Sequence, residues 1–150
     1  MKKPFTRHDY AVMRHGRDDG KVIVLESREI CARIASELAT YISHKGEGRF
    51  SHGVSIFHSP QARAKLTAEI VRNELTNCGI EIPRFELTGW LDCDEYLISE
   101  ARVATVMASC GGSLGLFISH RPDIEEFLGD EYGDVSNCSL FSAELTIKGH

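Results

Sequence analysis

The chain lacks several things that would have settled its class at once. No stretch approaches the ~20 consecutive apolar residues needed to cross a bilayer. The opening MKKPFTRHDY carries Lys2 and Lys3 but no apolar run behind them, so it does not read as a secretory leader. Basic side chains are outnumbered, 17 Lys and Arg against 22 Asp and Glu, for a formal net charge of −5. That balance argues against a general nucleic-acid binder, which shows a basic face. It leaves room for a small positive pocket, because a local field is set by nearby groups. The five cysteines (Cys31, Cys78, Cys93, Cys110 and Cys138) are odd in number and form no CxxC. No spacing fits a metal centre, and thiols in a reducing cytoplasm are the simplest reading. Repeats, low-complexity tracts and linkers are likewise missing.

What is present fits one soluble domain over residues 1–150. The composition is 42% hydrophobic and 26% charged, and 150 residues suffice for one sizeable core. Strand and helix patterns alternate. DYAVMR at 9–14 reads as a buried strand, and 27–43 as a helix with Ile30, Ile34, Leu38, Tyr41 and Ile42 on one stripe. GVSIFHS at 53–59 is a second strand. Pro60 suits the first turn of a helix that runs to about Asn77, with Leu66, Ile70 and Leu75 inward. A third strand over 82–87 is weakly patterned, and a helix over about 94–109 ends before Gly111 and Gly112. SLGLFISH at 113–120 is apolar on both faces and therefore central. Pro122 and Asp123 open a short helix that buries Ile124, Phe127 and Leu128 and ends at Gly129. Phe141, Ala143, Leu145 and Ile147 alternate with polar residues, which predicts one strand near a sheet edge. The expected fold is α/β: a three-layer α/β/α sandwich on a mostly parallel sheet, with an antiparallel edge strand near the C-terminus.

In such a sheet, ligands sit beyond the carboxyl ends of the strands. Three strand ends carry notable residues: Arg14-His15-Gly16, then His58-Ser59-Pro60 with Arg63 one turn on, then Ser119-His120-Arg121. If these strands are parallel, two histidines and two arginines converge beside helix N-termini, whose free amides favour anions. That set suits phosphoryl transfer. Arginines hold the equatorial oxygens with planar bidentate geometry, and a neutral imidazole attacks phosphorus in line.

The blocks MRHG, HSPQARAKLTAE and ISHRPDIEEFLG, in this order and spacing, resemble the signature blocks of the histidine phosphatase superfamily, the phosphoglycerate-mutase-like RHG family. The short chain, ELT at 86–88, the ISH and the alternating C-terminal strand are most similar to the SixA-type phosphohistidine phosphatases. The resemblance implies that His15 is the nucleophile and becomes phosphohistidine. Arg14 and Arg63 would bind the phosphoryl group, and His120 would complete the pocket. Gly16 would let the backbone turn tightly beside the phosphate, and Ser59 would shape the loop. No metal or organic cofactor is implied. The expected partner is a phosphorylated protein, such as a histidine-phosphotransfer domain, or a small phosphorylated substrate, with neither nucleic acid nor membrane. A small-molecule phosphomonoesterase and a catalytically weak phosphoprotein-binding module are the alternatives.

Two departures stand out. Arg17 follows the RHG where family members often carry an acidic residue. No position clearly matches the carboxylate with which larger members protonate the leaving group, and Glu86, Asp92 and Asp94 occupy its region without a ranking. Other residues have plainer readings. Asp18-Asp19-Gly20 is a polar turn, Trp90 packs at the core edge, His58 is structural or peripheral, and Arg121 faces solvent or a partner.

Overall fold

The strand LGLFIS at Leu114–Ser119 has every residue buried, as its two-sided apolar pattern requires. It lies in the middle of a six-stranded sheet of order β3-β2-β4-β1-β5-β6. The strands are β1 (Tyr10–Arg14), β2 (Val54–His58), β3 (Phe85–Leu87), β4 (Leu114–Ser119), β5 (Leu140–Ser142) and β6 (Thr146–Ile147). The computed structural model describes residues 4–45, 49–92, 98–129 and 134–149. β1, β2, β3 and β4 run parallel, whereas β5 and β6 are antiparallel to their neighbours.

The strand period of two sorts side chains into two separate cores. Ala11, Met13, Ile56, Leu116 and Ile118 face one side, where α1 (Leu25–Lys45) contributes Ile34 and Leu38 and α2 (Ala62–Asn77) contributes Val71 and Leu75. Tyr10, Val12, Phe57, Phe117 and Phe141 face the other side. There α3 (Glu100–Met107) supplies Val103 and Met107, and α4 (Arg121–Leu128) supplies Ile124, Phe127 and Leu128. The aromatic core is ordered by ring contacts. Phe117 stacks on Phe57 at 5.0 Å and meets Tyr10 edge-on at 6.0 Å. This is the expected three-layer α/β/α sandwich on a mostly parallel sheet.

Several boundaries differ from the sequence reading for physical reasons. Helix α2 begins at Ala62 with Gln61 as its N-cap, so Pro60 sits in the turn before the helix. The inward stripe of α2 is Ala64, Thr67, Ala68, Val71 and Leu75. Ile70 is half-buried and packs against this core, as expected, whereas Leu66 lies half-buried on the flank of the stripe. The predicted C-terminal strand is a hairpin, because Ser142 turns the chain. Its amide donates to Leu145 O at 2.7 Å, and its Oγ accepts from Leu145 N at 2.9 Å. Helix α3 starts at Glu100, and the stretch 94–97 placed in it by its periodicity lies outside the described residues. None of the described helices is long and apolar enough to cross a membrane.

Candidate active site

Strands β2, β4 and β1 are consecutive in the sheet and parallel, so their carboxyl ends lie side by side. The backbone then ties the three exits together. His15 N donates to Ser119 O at 3.2 Å, and Ser59 N donates to Ile118 O at 3.0 Å. Helices α2 and α4 begin immediately afterwards, at Ala62 and Arg121, and direct their free amides to the same end of the sheet. Arg14, His15, Ser59, Arg63 and His120 are thereby gathered at one place.

His15 is 6% exposed, and its ring centroid lies 5.1 Å from that of His120. His15 Nδ1 lies 2.8 Å from Gly16 O. A carbonyl only accepts, so Nδ1 carries the proton and Nε2 presents its lone pair. Burial, outweighing the Gly16 hydrogen bond, lowers the His15 pKa to about 4, helped by the charges of His120, Arg63 and Arg14. The ring is therefore neutral at pH 7. Burial and the Arg63 charge lower His120 as well, with Asp92 acting in the opposite sense. Arg14 is lowered by burial and then by Arg121.

Among the described residues, two buried side-chain polar atoms have no hydrogen-bond partner: Arg14 Nε and His120 Nδ1. Both belong to this cluster. Unpaired buried polar atoms are costly and rare in folded proteins, and a guanidinium N–H and an unpartnered imidazole nitrogen grouped beside a neutral imidazole fit an incoming polar ligand such as an oxyanion. Other arms of the two arginines are anchored. Arg14 Nη1 donates to Val135 O at 2.8 Å. Arg63 Nε and Nη2 donate to Gln61 Oε1 at 3.1 and 3.0 Å, and Gln61 Nε2 donates to Asp92 Oδ1 at 2.9 Å. The described residues hold no group of three or more His, Cys, Asp or Glu suited to a metal ion.

Gly16 is required here for space. Its φ is not positive, and an added Cβ would lie 3.1 Å from Ile23 Cγ2, 3.2 Å from Cys31 Sγ and 3.4 Å from Cys138 Sγ. Its neighbours form a floor made of Ile23 and two cysteines. Those sulfurs face each other at 2.6 Å, and their hydrogen bond, together with burial, raises the Cys31 thiol pKa. This pairing was invisible in a sequence where the two cysteines stand 107 positions apart.

Thr67 is the residue the sequence reading passed over. Its Oγ1 accepts from Gly16 N at 2.8 Å and donates to Arg63 O at 2.8 Å, so one hydroxyl joins the loop of the histidine to the helix of the arginine. Its position four residues after Arg63, on the buried stripe of α2, was the available signal. Asp92 stays near His120 through Gln61. Glu86 does not join the cluster: its carboxylate pairs with Arg84, which also donates to Ser109 Oγ and Cys110 Sγ before the start of β4. Asp94 lies outside the described residues. Arg17 lies 4.0 Å from Glu26 with both side chains well exposed, and Arg121 pairs with Glu125 on the surface. His58 is buried, with Nδ1 donating to Ser59 O at 2.9 Å, and Trp90 packs on Phe117.

A comparison of this architecture with solved structures aligns it with a protein histidine phosphatase, SixA, complexed with tungstate. The TM-score is 0.60 at 19% identity, covering 87% of this chain and 84% of that one. The fold is that of SixA. A provisionally assigned phosphohistidine phosphatase SixA from Agrobacterium tumefaciens shares it, at TM-score 0.53 and 11% identity, over 93% of this chain and 95% of that one. In sequence, neither a family model nor a curated protein matches the chain. At such identities the SixA likeness is one of backbone architecture, and the chemistry rests on the side chains described above.

Proposed function

We propose that this chain is a phosphatase that takes a phosphoryl group from protein-borne phosphohistidine through a covalent phosphohistidine at His15. The observation that carries this reading is the state of His15: buried, neutral, and locked by Gly16 O with Nε2 as its free lone pair, beside Arg14 and Arg63. In the first step Nε2 bonds to phosphorus while the substrate's nitrogen–phosphorus bond breaks. The ring gains positive charge, which its Nδ1–H shares with Gly16 O. The departing imidazole keeps the electron pair of the broken bond and leaves as the neutral ring, its distal nitrogen being already protonated. Water then attacks phosphorus, the His15 nitrogen–phosphorus bond breaks, and inorganic phosphate is released.

The choice of a phosphoramidate follows from what surrounds the histidines. An imidazole leaving group is far less basic than an alkoxide, so it makes little demand on a strong proton donor. Asp92 is the one carboxylate of the two described candidates that approaches His120. The loop after Gly16 folds back on itself, with Val24 N donating to Arg17 O at 2.9 Å and a bridge between Asp18 and Ile23, which favours an open approach for a protein substrate.

The test is a histidine-phosphotransfer domain carrying radiolabelled phosphohistidine. Label should leave the substrate, pass transiently to this chain in an acid-labile, base-stable form, and map to His15. The His15→Ala variant should lose both the intermediate and turnover. Unchanged label loss in that variant would defeat the proposal. Higher specificity constants for sugar phosphates or nucleotides would move the reading to a small-molecule phosphatase.

A further inference from the structure

His120 is 2% exposed, its Nδ1 has no partner among the described residues, and its Nε2 lies 2.7 Å from Ser59 Oγ. Ser59 is itself fully buried, and its Oγ accepts the Gln61 amide at 3.3 Å. A serine hydroxyl has one proton and two lone pairs. With one lone pair taken by Gln61, two arrangements remain. In the first, Ser59 donates to Nε2 and His120 is protonated at Nδ1. In the second, Nε2–H donates to Ser59, whose own proton is then left without an acceptor in a buried place.

We propose that Ser59 is a positioning residue: by donating to His120 Nε2 it fixes the Nδ1–H tautomer, so that this ring presents an N–H to the transferred phosphoryl group. The inference rests on the phosphoryl-transfer reading for its purpose. The two imidazoles then have reciprocal states. His15 uses Nδ1–H on Gly16 O and offers a lone pair from Nε2. His120 uses its Nε2 lone pair on Ser59 and offers a proton from Nδ1. Nucleophile and oxyanion donor are thus distinguished by which ring nitrogen the neighbouring oxygen engages. A neutral donor also stabilises an equatorial oxygen without adding a full charge beside Arg14 and Arg63.

The tautomer is directly measurable. Long-range proton–nitrogen correlation spectra of 15N-histidine protein at pH 7, without ligand, should give His120 a protonated-type Nδ1 and an unprotonated Nε2. The Ser59→Ala variant should shift the ring toward Nε2–H and weaken tungstate binding about tenfold to a hundredfold, the usual scale for losing an orienting partner of a functional imidazole. The Ser59→Thr variant should restore both. An Nε2–H ring in the wild-type protein overturns the proposal. So does a Ser59→Ala protein with tautomer or tungstate affinity unchanged. Should the alanine variant unfold, the wild-type tautomer alone decides. Loss of the phosphatase reading would appear separately, as failure to form phosphoenzyme in a protein whose His120 is Nδ1–H.

Discussion

The imidazole rings of His15 and His120 meet at 5.1 Å between centroids, inclined by 61°. They are brought there by the pairing of β1 with β4, in which Arg14 and Ser119 are register partners. Each histidine is the next residue along, so the parallel register sets the distance between the rings. A one-residue slip of that register would turn the side chains of one strand to the other face and part the two rings.

Burial of His15, aided by this proximity, sets the first expectation. His15 should titrate with a midpoint about 4, well under its ordinary 6.5. Between those values the unfolded chain binds a proton that the native state refuses, so stability is full above pH 6.5 and falls as pH drops toward 4. The loss approaches about 3 kcal/mol before levelling off. A ring-proton NMR titration checks the midpoint, and urea melts at pH 7 and pH 4.5 check the stability. A His15 midpoint near 6.5 would remove the account of a neutral, desolvated nucleophile.

Thr67 supplies the second. Replacing it by valine keeps the shape but removes the acceptor of Gly16 N and the donor to Arg63 O. The buried amide then lacks a partner, at about 1–3 kcal/mol of stability. The loop of His15 and the helix of Arg63 lose their shared contact, and activity should fall about tenfold or more. The Thr67→Ser variant should recover most of both. Melting temperature and kcat/KM, measured on all three proteins, decide it.

A third concerns the two acidic candidates. Glu86 is engaged by Arg84 away from the histidines, so Glu86→Gln should leave kcat within about twofold, as expected of a half-exposed pair. Asp92 holds Gln61, which in turn holds Arg63. Asp92→Asn should therefore lower kcat/KM more than the Glu86 change does, on both phosphohistidine and phosphomonoester substrates. Equal effects of the two substitutions would refute this division.

Much of this arrangement was legible in the sequence because it follows short-range rules. SLGLFISH, apolar on both faces, announces a central strand, and the three strand ends converge as parallel pairing demands. Other features required long-range packing. Cys31 and Cys138 carry no local signal of their meeting behind Gly16. The spacing Phe141, Ala143, Leu145, Ile147 satisfied a strand template, yet the Ser142 turn broke it into a hairpin. Of the residues expected inward on α2, Leu75 is buried and Ile70 packs on the core, whereas Leu66 stays half-buried beside the stripe that carries the two alanines. Sequence periodicity reports that a face is apolar; the sizes of its side chains decide which part of that face reaches the core.

Arg14 N donates to Ser139 O, His15 O accepts from Cys138 N, and Arg14 Nη1 is held by Val135 O. The strand that carries Arg14 and leads into His15 is thus clasped by a segment more than a hundred residues later. A nascent chain with most of its helices already formed would still lack that clasp. Assembly of the proposed site should therefore await synthesis of the chain past β5.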